Sequence, residues 1–180
     1  MPARAGRRGG RVARLTLALA LACSAGCASA PPAERLRADA YFTVLAGFPD
    51  VEGRHVNVSA WRGKVVVIQF VTTWCFPCIA TAPRLQDLES RYGTQGLRVV
   101  AVGMDIEGAQ VIGPFQETLG LHFPVLVGDA ALRDGKTAFG RITTLPTTVI
   151  VGRDGTVLIA YKGVPEEGGL ESFVEDALKK

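Results

Sequence analysis

Side chains that bind metals are scarce in this sequence of 180 residues, which has two histidines, two methionines and four cysteines. A structural zinc site asks for four nitrogen or sulfur ligands. His55 and His122 are the only histidines and stand far apart in sequence, so zinc is not expected. Long apolar runs are missing as well: the stretch from Leu15 to Ala22 is too short to span a bilayer as a mature helix. No internal repeat is visible, and no basic stripe interleaved with aromatic residues follows Pro31. Neither phosphate tracking nor base stacking has a surface, which excludes nucleic-acid binding. What remains is 48% hydrophobic and 21% charged, the balance of a chain that buries a core rather than of a disordered tail.

The N-terminus is organised differently from the rest. Arg4, Arg7, Arg8, Arg11 and Arg14 precede the short apolar run, after which small residues take over, the pattern of a signal peptide over residues 1–26. Gly9-Gly10 follows Arg7-Arg8 where twin-arginine signals are more apolar, so ordinary secretion is the expectation. Ser24-Ala25-Gly26-Cys27 resembles the lipobox of bacterial lipoproteins, although Ser24 departs from the usual leucine. Cys27 is therefore the candidate lipidation site, with a membrane contact through that lipid. Soluble release after Ala28-Ser29-Ala30 is the alternative. Loss of the leader leaves 154 residues with 15 basic and 17 acidic side chains, enough for one domain and a net charge of −2. Residues 27–40 are expected to form the lipidated N-terminus and a tether, its Pro31 to Arg37 stretch mobile and poor in apolar periodicity, and 41–180 the domain.

With Cys23 removed and Cys27 committed, Cys75 and Cys78 remain. A bridge across two residues closes too small a loop to constrain the unfolded chain much, so a structural staple explains the pair poorly. The surroundings explain it better. Gly63-Lys64 precedes Val65 to Val71, a run with the length and composition of a buried strand. Cys78, Ala82, Leu85, Leu88 and Tyr92 then fall at spacings of three and four, the inward stripe of a helix ending before Gly93, with Pro83 expected to kink it. Leu97 to Met104 reads as a second strand, so strand, helix and strand predict a parallel pair with a right-handed crossover. Gly47 to Gly53 reads as a turn before a short strand at His55 to Val58. Val111 to Leu119, interrupted by Pro114, and Ala130 to Phe139 read as helices around a strand at Phe123 to Val127. Thr147 to Val151 and Val157 to Tyr161 flank an Asp154-Gly155 turn and should pair as a hairpin, and Leu170, Phe173, Val174, Ala177 and Leu178 form the stripe of a last helix.

The chemistry falls at Trp74-Cys75-Phe76-Pro77-Cys78, where the chain leaves a strand and enters a helix. Unpaired amides and the helix dipole favour an anion there, so the Cys75 thiol is expected below its free pKa of about 8.5 and acts as nucleophile. Cys78, one turn on, faces the core as the resolving thiol. Pro77 suits a first helical turn, Phe76 adds an apolar face, and Trp74 is placed to shield the pair and dock apolar substrate. Trp61 is expected in packing and His122 in a turn.

Trp-Cys-Xaa-Pro-Cys after a buried strand resembles the thioredoxin superfamily. Gly63-Lys64, Trp74 to Cys78, and Thr144-Leu145-Pro146-Thr147-Thr148 before Arg153-Asp154-Gly155 are similar to its TlpA/ResA-like branch over roughly Phe42 to Lys180. The resemblance implies an α/β fold, a central mixed sheet flanked by helices, with an N-terminal extension and a central insertion. It implies that Pro146 is a cis-proline facing the cysteines and that the Leu145 backbone pairs with an incoming peptide. It also implies a monomeric thiol-disulfide oxidoreductase that needs no cofactor beyond its own disulfide. A reductase of exported protein disulfides is favoured, apocytochrome c or copper-site proteins among the clients, fed by a membrane electron donor of the DsbD/CcdA kind. Two positions depart from the pattern. Gln69 stands where thioredoxin has a buried acid, and Thr81 where ResA-like members carry a glutamate, which leaves the Thr81 hydroxyl or water as candidate proton relay. The motif alone does not choose the direction of electron flow, since such pairs span about −270 to −120 mV. Two alternatives stay open: a peroxiredoxin-like thiol peroxidase, and a Cu(I)-binding chaperone using both thiolates with His122.

Overall fold

A computed structural model describes residues 32–180. The leader, Cys23 and the lipobox with Cys27 lie outside the described residues. Two runs rich in β-branched residues build the centre: β1 (Val65–Val71) and β2 (Leu97–Gly103) pair in parallel, Val67 opposite Val99 and Phe70 opposite Val102. All seven residues of β1 are buried, as a continuous apolar strand must be when helices cover both faces of its sheet. The crossover between them is α2 (Phe76–Tyr92), which a parallel pair requires. β3 (Val125–Val127) joins β2 in parallel, while β4 (Thr147–Val151) lies antiparallel on the other side of β1 and β5 (Val157–Lys162) antiparallel on β4. The order β3-β2-β1-β4-β5 is the mixed five-stranded sheet of a thioredoxin-like fold.

Alternation along β1 divides the core into two layers. Val65, Val67 and Val71 pack with Leu85 and Leu88 of α2, Ile112 of α3 (Ala109–Thr118) and Val174 of α5 (Gly169–Leu178). Val66, Ile68 and Phe70 pack with Phe42 and Leu45 of α1 (Pro32–Gly47), with Trp61, and with Leu132 of α4 (Ala130–Arg133). Phe139 meets Phe70 edge-on at 4.8 Å and stacks on Tyr41 at 4.9 Å, tying α1 to the sheet. Gln69 shares the parity of Val67 and Val71 and is the single polar residue of β1. In chain order the segment α3-β3-α4 falls between β2 and β4.

Four local expectations change. The stretch expected as a mobile tether lies mostly within α1, because Ala33, Glu34, Arg35, Leu36 and Arg37 favour helix and Pro32 suits a first turn. His55 to Val58 is not a strand: His55 makes one isolated bridge with Pro49, and a short 3-10 helix starts at Val58. The helix expected over Ala130 to Phe139 stops at Arg133, since Gly135, with φ +73°, takes a conformation that ends helices. The hairpin forms as expected, but across a wider loop. Gly152 donates to the Thr156 carbonyl at 2.8 Å, and Asp154 Oδ1 accepts from the Thr156 amide and hydroxyl, with Gly155 at φ +82°.

Candidate active site

β1 ends at Val71, and four residues carry the chain to α2. Thr73 is fixed in that loop by Asp105, the second residue past β2: its amide reaches both carboxylate oxygens at 3.1 Å and its hydroxyl donates to Oδ1 at 2.7 Å. Asp105 is buried, so this anchor works away from solvent. It went unnoticed in the sequence, where the one signal was a carboxylate directly after an apolar strand.

Cys75 caps α2. Its Sγ accepts the Cys78 amide at 3.2 Å, so a first-turn N–H points at the sulfur expected to carry charge. No acidic side chain occupies the first turn of the helix, leaving its positive end uncompensated. Pro77 occupies the first turn, where its missing donor leaves nothing unpaired. The two sulfurs form a disulfide, with Cα atoms 5.2 Å apart. Cys75 is 5% exposed and Cys78 is fully enclosed, which makes Cys75 the sulfur a partner meets first.

Around that sulfur the fold brings two distant segments together. Trp74, Phe76 and Pro77 face Ile142, Thr143 and Leu145 across an open groove of about 460 Å³ with Cys75 in its wall. The Leu145–Pro146 bond is cis. Trp74 is 73% and Phe76 84% exposed, a large apolar surface to leave in water next to a reactive group. Ile142 and Thr143, which sequence reasoning did not single out, complete the groove.

Beneath the pair lies a neutral polar ladder. Gln69 Nε2 donates to Thr148 Oγ1 at 3.2 Å, and the Thr81 hydroxyl has Gln69 Oε1 at 3.4 Å, the Pro77 carbonyl at 3.0 Å and the Cys78 carbonyl at 3.1 Å. All three side chains are buried. The ladder links β4, β1 and α2 without a charge, so no carboxylate relay runs through it. His122 does not join the cysteines: it lines a separate cavity of about 390 Å³ with His55. Among the described residues no group of three or more histidine, cysteine, aspartate or glutamate side chains is arranged to hold a metal.

A helix-capping cysteine, an enclosed partner sulfur and a cis-proline loop across one groove are the parts of a dithiol-disulfide exchanger. Comparison with known proteins agrees. Residues 40–160 match the AhpC/TSA family. The thiol-disulfide oxidoreductase ResA of Halalkalibacterium halodurans is 31% identical over 126 residues, covering 70% of this chain and 69% of that protein. ResA of Geobacillus thermodenitrificans is 31% identical over 128 residues, covering 70% of each. Among solved structures, a protein of Chlorobium tepidum designated a thiol:disulfide interchange protein DsbE superposes with a TM-score of 0.61 at 26% identity, covering 73% of this chain and 91% of its own. The chain belongs to the AhpC/TSA family and, within the thioredoxin superfamily, to the ResA-like thiol-disulfide oxidoreductases.

Proposed function

We propose that this oxidoreductase works as an exported reductase of disulfides in extracytoplasmic proteins, anchored through lipid on Cys27 and recharged by a membrane electron donor of the DsbD/CcdA kind. The leader arginines and the Ser24 to Cys27 lipobox support the location. The observation that carries the chemistry is the Cys78 amide directed at Cys75 Sγ at a helix N-terminus, beside a groove lined by no charged side chain. In the reduced form that amide and the helix dipole stabilise the Cys75 thiolate. The thiolate attacks one sulfur of the client disulfide, forming a mixed disulfide and expelling the other client sulfur as a thiolate, which takes up a proton. Cys78 then loses its proton and attacks Cys75 Sγ, closing the intramolecular bridge and expelling the second client sulfur. Two electrons pass to the client and the protein is left oxidised. Thr81, whose hydroxyl meets the Cys78 carbonyl, is the polar side chain we assign to proton handling near the resolving thiol. Apocytochrome c and copper-site proteins fit as clients because each must keep cysteine pairs reduced until loaded.

The test is a Cys78→Ser variant expressed in cells, in which mixed disulfides between Cys75 and its partners accumulate. Recovery of exported cysteine-containing proteins and of a membrane donor supports the reading, and absence of any trapped partner contradicts it. Turnover of insulin disulfides with an external reductant, set against peroxide consumption and anaerobic copper stoichiometry, separates the reductase from a peroxidase and from a copper carrier.

A further inference from the structure

A second apolar hollow borders the segment that carries Cys75. Thr73 and Ile79 form one wall, and Val111, Pro114 and Phe115 of α3 with Leu119 just past its end the other, around about 310 Å³. Ile79 lies one helical turn past Cys75 and donates its amide to the Cys75 carbonyl at 3.1 Å, while Thr73 stands two residues before Cys75. The hollow therefore begins on the order of 6 Å from the reactive cysteine, given the 1.5 Å rise per helical residue. No charged side chain lines it, and none lines the groove on the Leu145 side. Ile106, next to the Asp105 that fixes Thr73, is 82% exposed. Cys75 thus lines one uncharged hollow and lies close in the chain to the wall of a second, with the exposed Trp74 and Phe76 beside it.

We infer that the α3 hollow is a docking subsite for an apolar side chain of an unfolded client polypeptide, two or three residues from the cysteine that Cys75 attacks. The inference rests on the reductase reading above and specifies its substrate. Continuity with the exchange site argues for this occupant. A client cysteine bonded to Cys75 brings its own chain over this loop, and extended backbone covers about 3.3 Å per residue, so the second or third neighbour reaches the hollow. An unfolded chain presents apolar residues next to its cysteines, whereas a folded partner buries them and offers a surface rich in charge. Two uncharged walls discriminate against charged neighbours, because a charge placed there loses water without gaining a partner.

The experiment uses the reduced protein and short unstructured peptides whose single cysteine carries a thionitrobenzoate disulfide, with Leu, Asp or Lys two or three residues away on either side. Attack by Cys75 releases thionitrobenzoate, and the second-order rate constant of this single turnover is read from its absorbance. Leu on one side of the cysteine is expected to exceed Asp or Lys by about ten-fold, which is about 1.4 kcal/mol and within reach of burying part of one side chain. Thr118, exposed on the rim of the hollow, supplies the variants. Thr118→Lys should remove that preference, Thr118→Gln should keep most of it, and both should reduce oxidised mercaptoethanol at the wild-type rate. Equal rates for all peptides, or a Thr118→Lys variant that keeps the preference, overturns the subsite while leaving the reductase reading intact. Failure of the wild type to reduce even oxidised mercaptoethanol overturns the reductase reading itself.

Discussion

Replacing Gln69 by Glu places a carboxyl of nearly the same shape in the middle of the buried ladder, where the glutamine is 1% exposed. Protonated, the new side chain can reproduce contacts to Thr148 and Thr81. Ionised, it is a carboxylate enclosed beneath the cysteines, and none of the ladder's hydrogen-bond partners is a cation. Burial favours the neutral form, so the folded-state pKa of Glu at this position rises above the unfolded value of about 4.3. The sign follows: the folded state holds the proton more tightly, and stability falls as pH rises from the unfolded value toward the folded one. Inside that window each pH unit removes about 1.4 kcal/mol. Between pH 5 and pH 7 the variant should lose up to about 2.7 kcal/mol that wild type keeps, or about 5–10 °C in Tm for a domain of this size. Gln69→Leu is the control. It leaves Thr148 without its Gln69 donor, costs about 1–3 kcal/mol, and adds no pH dependence. Thermal unfolding of the oxidised protein at pH 5 and pH 7 reads both. A Gln69→Glu deficit that is the same at the two pH values would refute the picture of a sealed, neutral ladder.

Asp105→Ala removes the acceptor for the Thr73 amide and hydroxyl; the expected loss is about 1–3 kcal/mol, read by thermal unfolding, with Thr73→Val losing less. Asp50 tests acid sensitivity. Burial pulls its carboxyl upward, but hydrogen bonds from the Arg54 amide and guanidinium and from the Glu52 amide outweigh that and hold it below its ordinary 3.8. Its contribution is present above about pH 3.8 and lost as pH falls through the lower folded value, so the Tm gap between wild type and Asp50→Asn should close on acidification; a gap constant down to pH 2 refutes the assignment. Thr81→Ala should alter the pH dependence of client disulfide reduction, and an unchanged profile removes Thr81 from proton handling.

The sheet was legible because its strands are short, apolar and rich in β-branched residues, and because Gly93 marks the end of α2 so plainly. The cysteine pair was legible for a related reason: capping places chemistry at a boundary that local sequence encodes. The anchoring of Thr73 by Asp105 was not, since 32 residues separate the two and the contact arises only when β1 and β2 pair in register. The groove is similar, its far wall supplied by Ile142 to Leu145 from the other side of the chain. At the N-terminus the composition of the Pro- and Ala-containing stretch suits a tether, yet the same residues favour helix. His55 and His122, remote in sequence, line one cavity, which no spacing rule announces.

Everything turns on the charge state of Cys75 once the disulfide is opened. Titration of the reduced protein, following thiolate absorbance and the rate of alkylation at Cys75 in a Cys78→Ser background, measures it directly. A pKa clearly under the free-thiol value of about 8.5, with alkylation confined to Cys75 near neutral pH, is the predicted result. An unshifted or raised value, or a Cys75 that resists the reagent, would contradict the account.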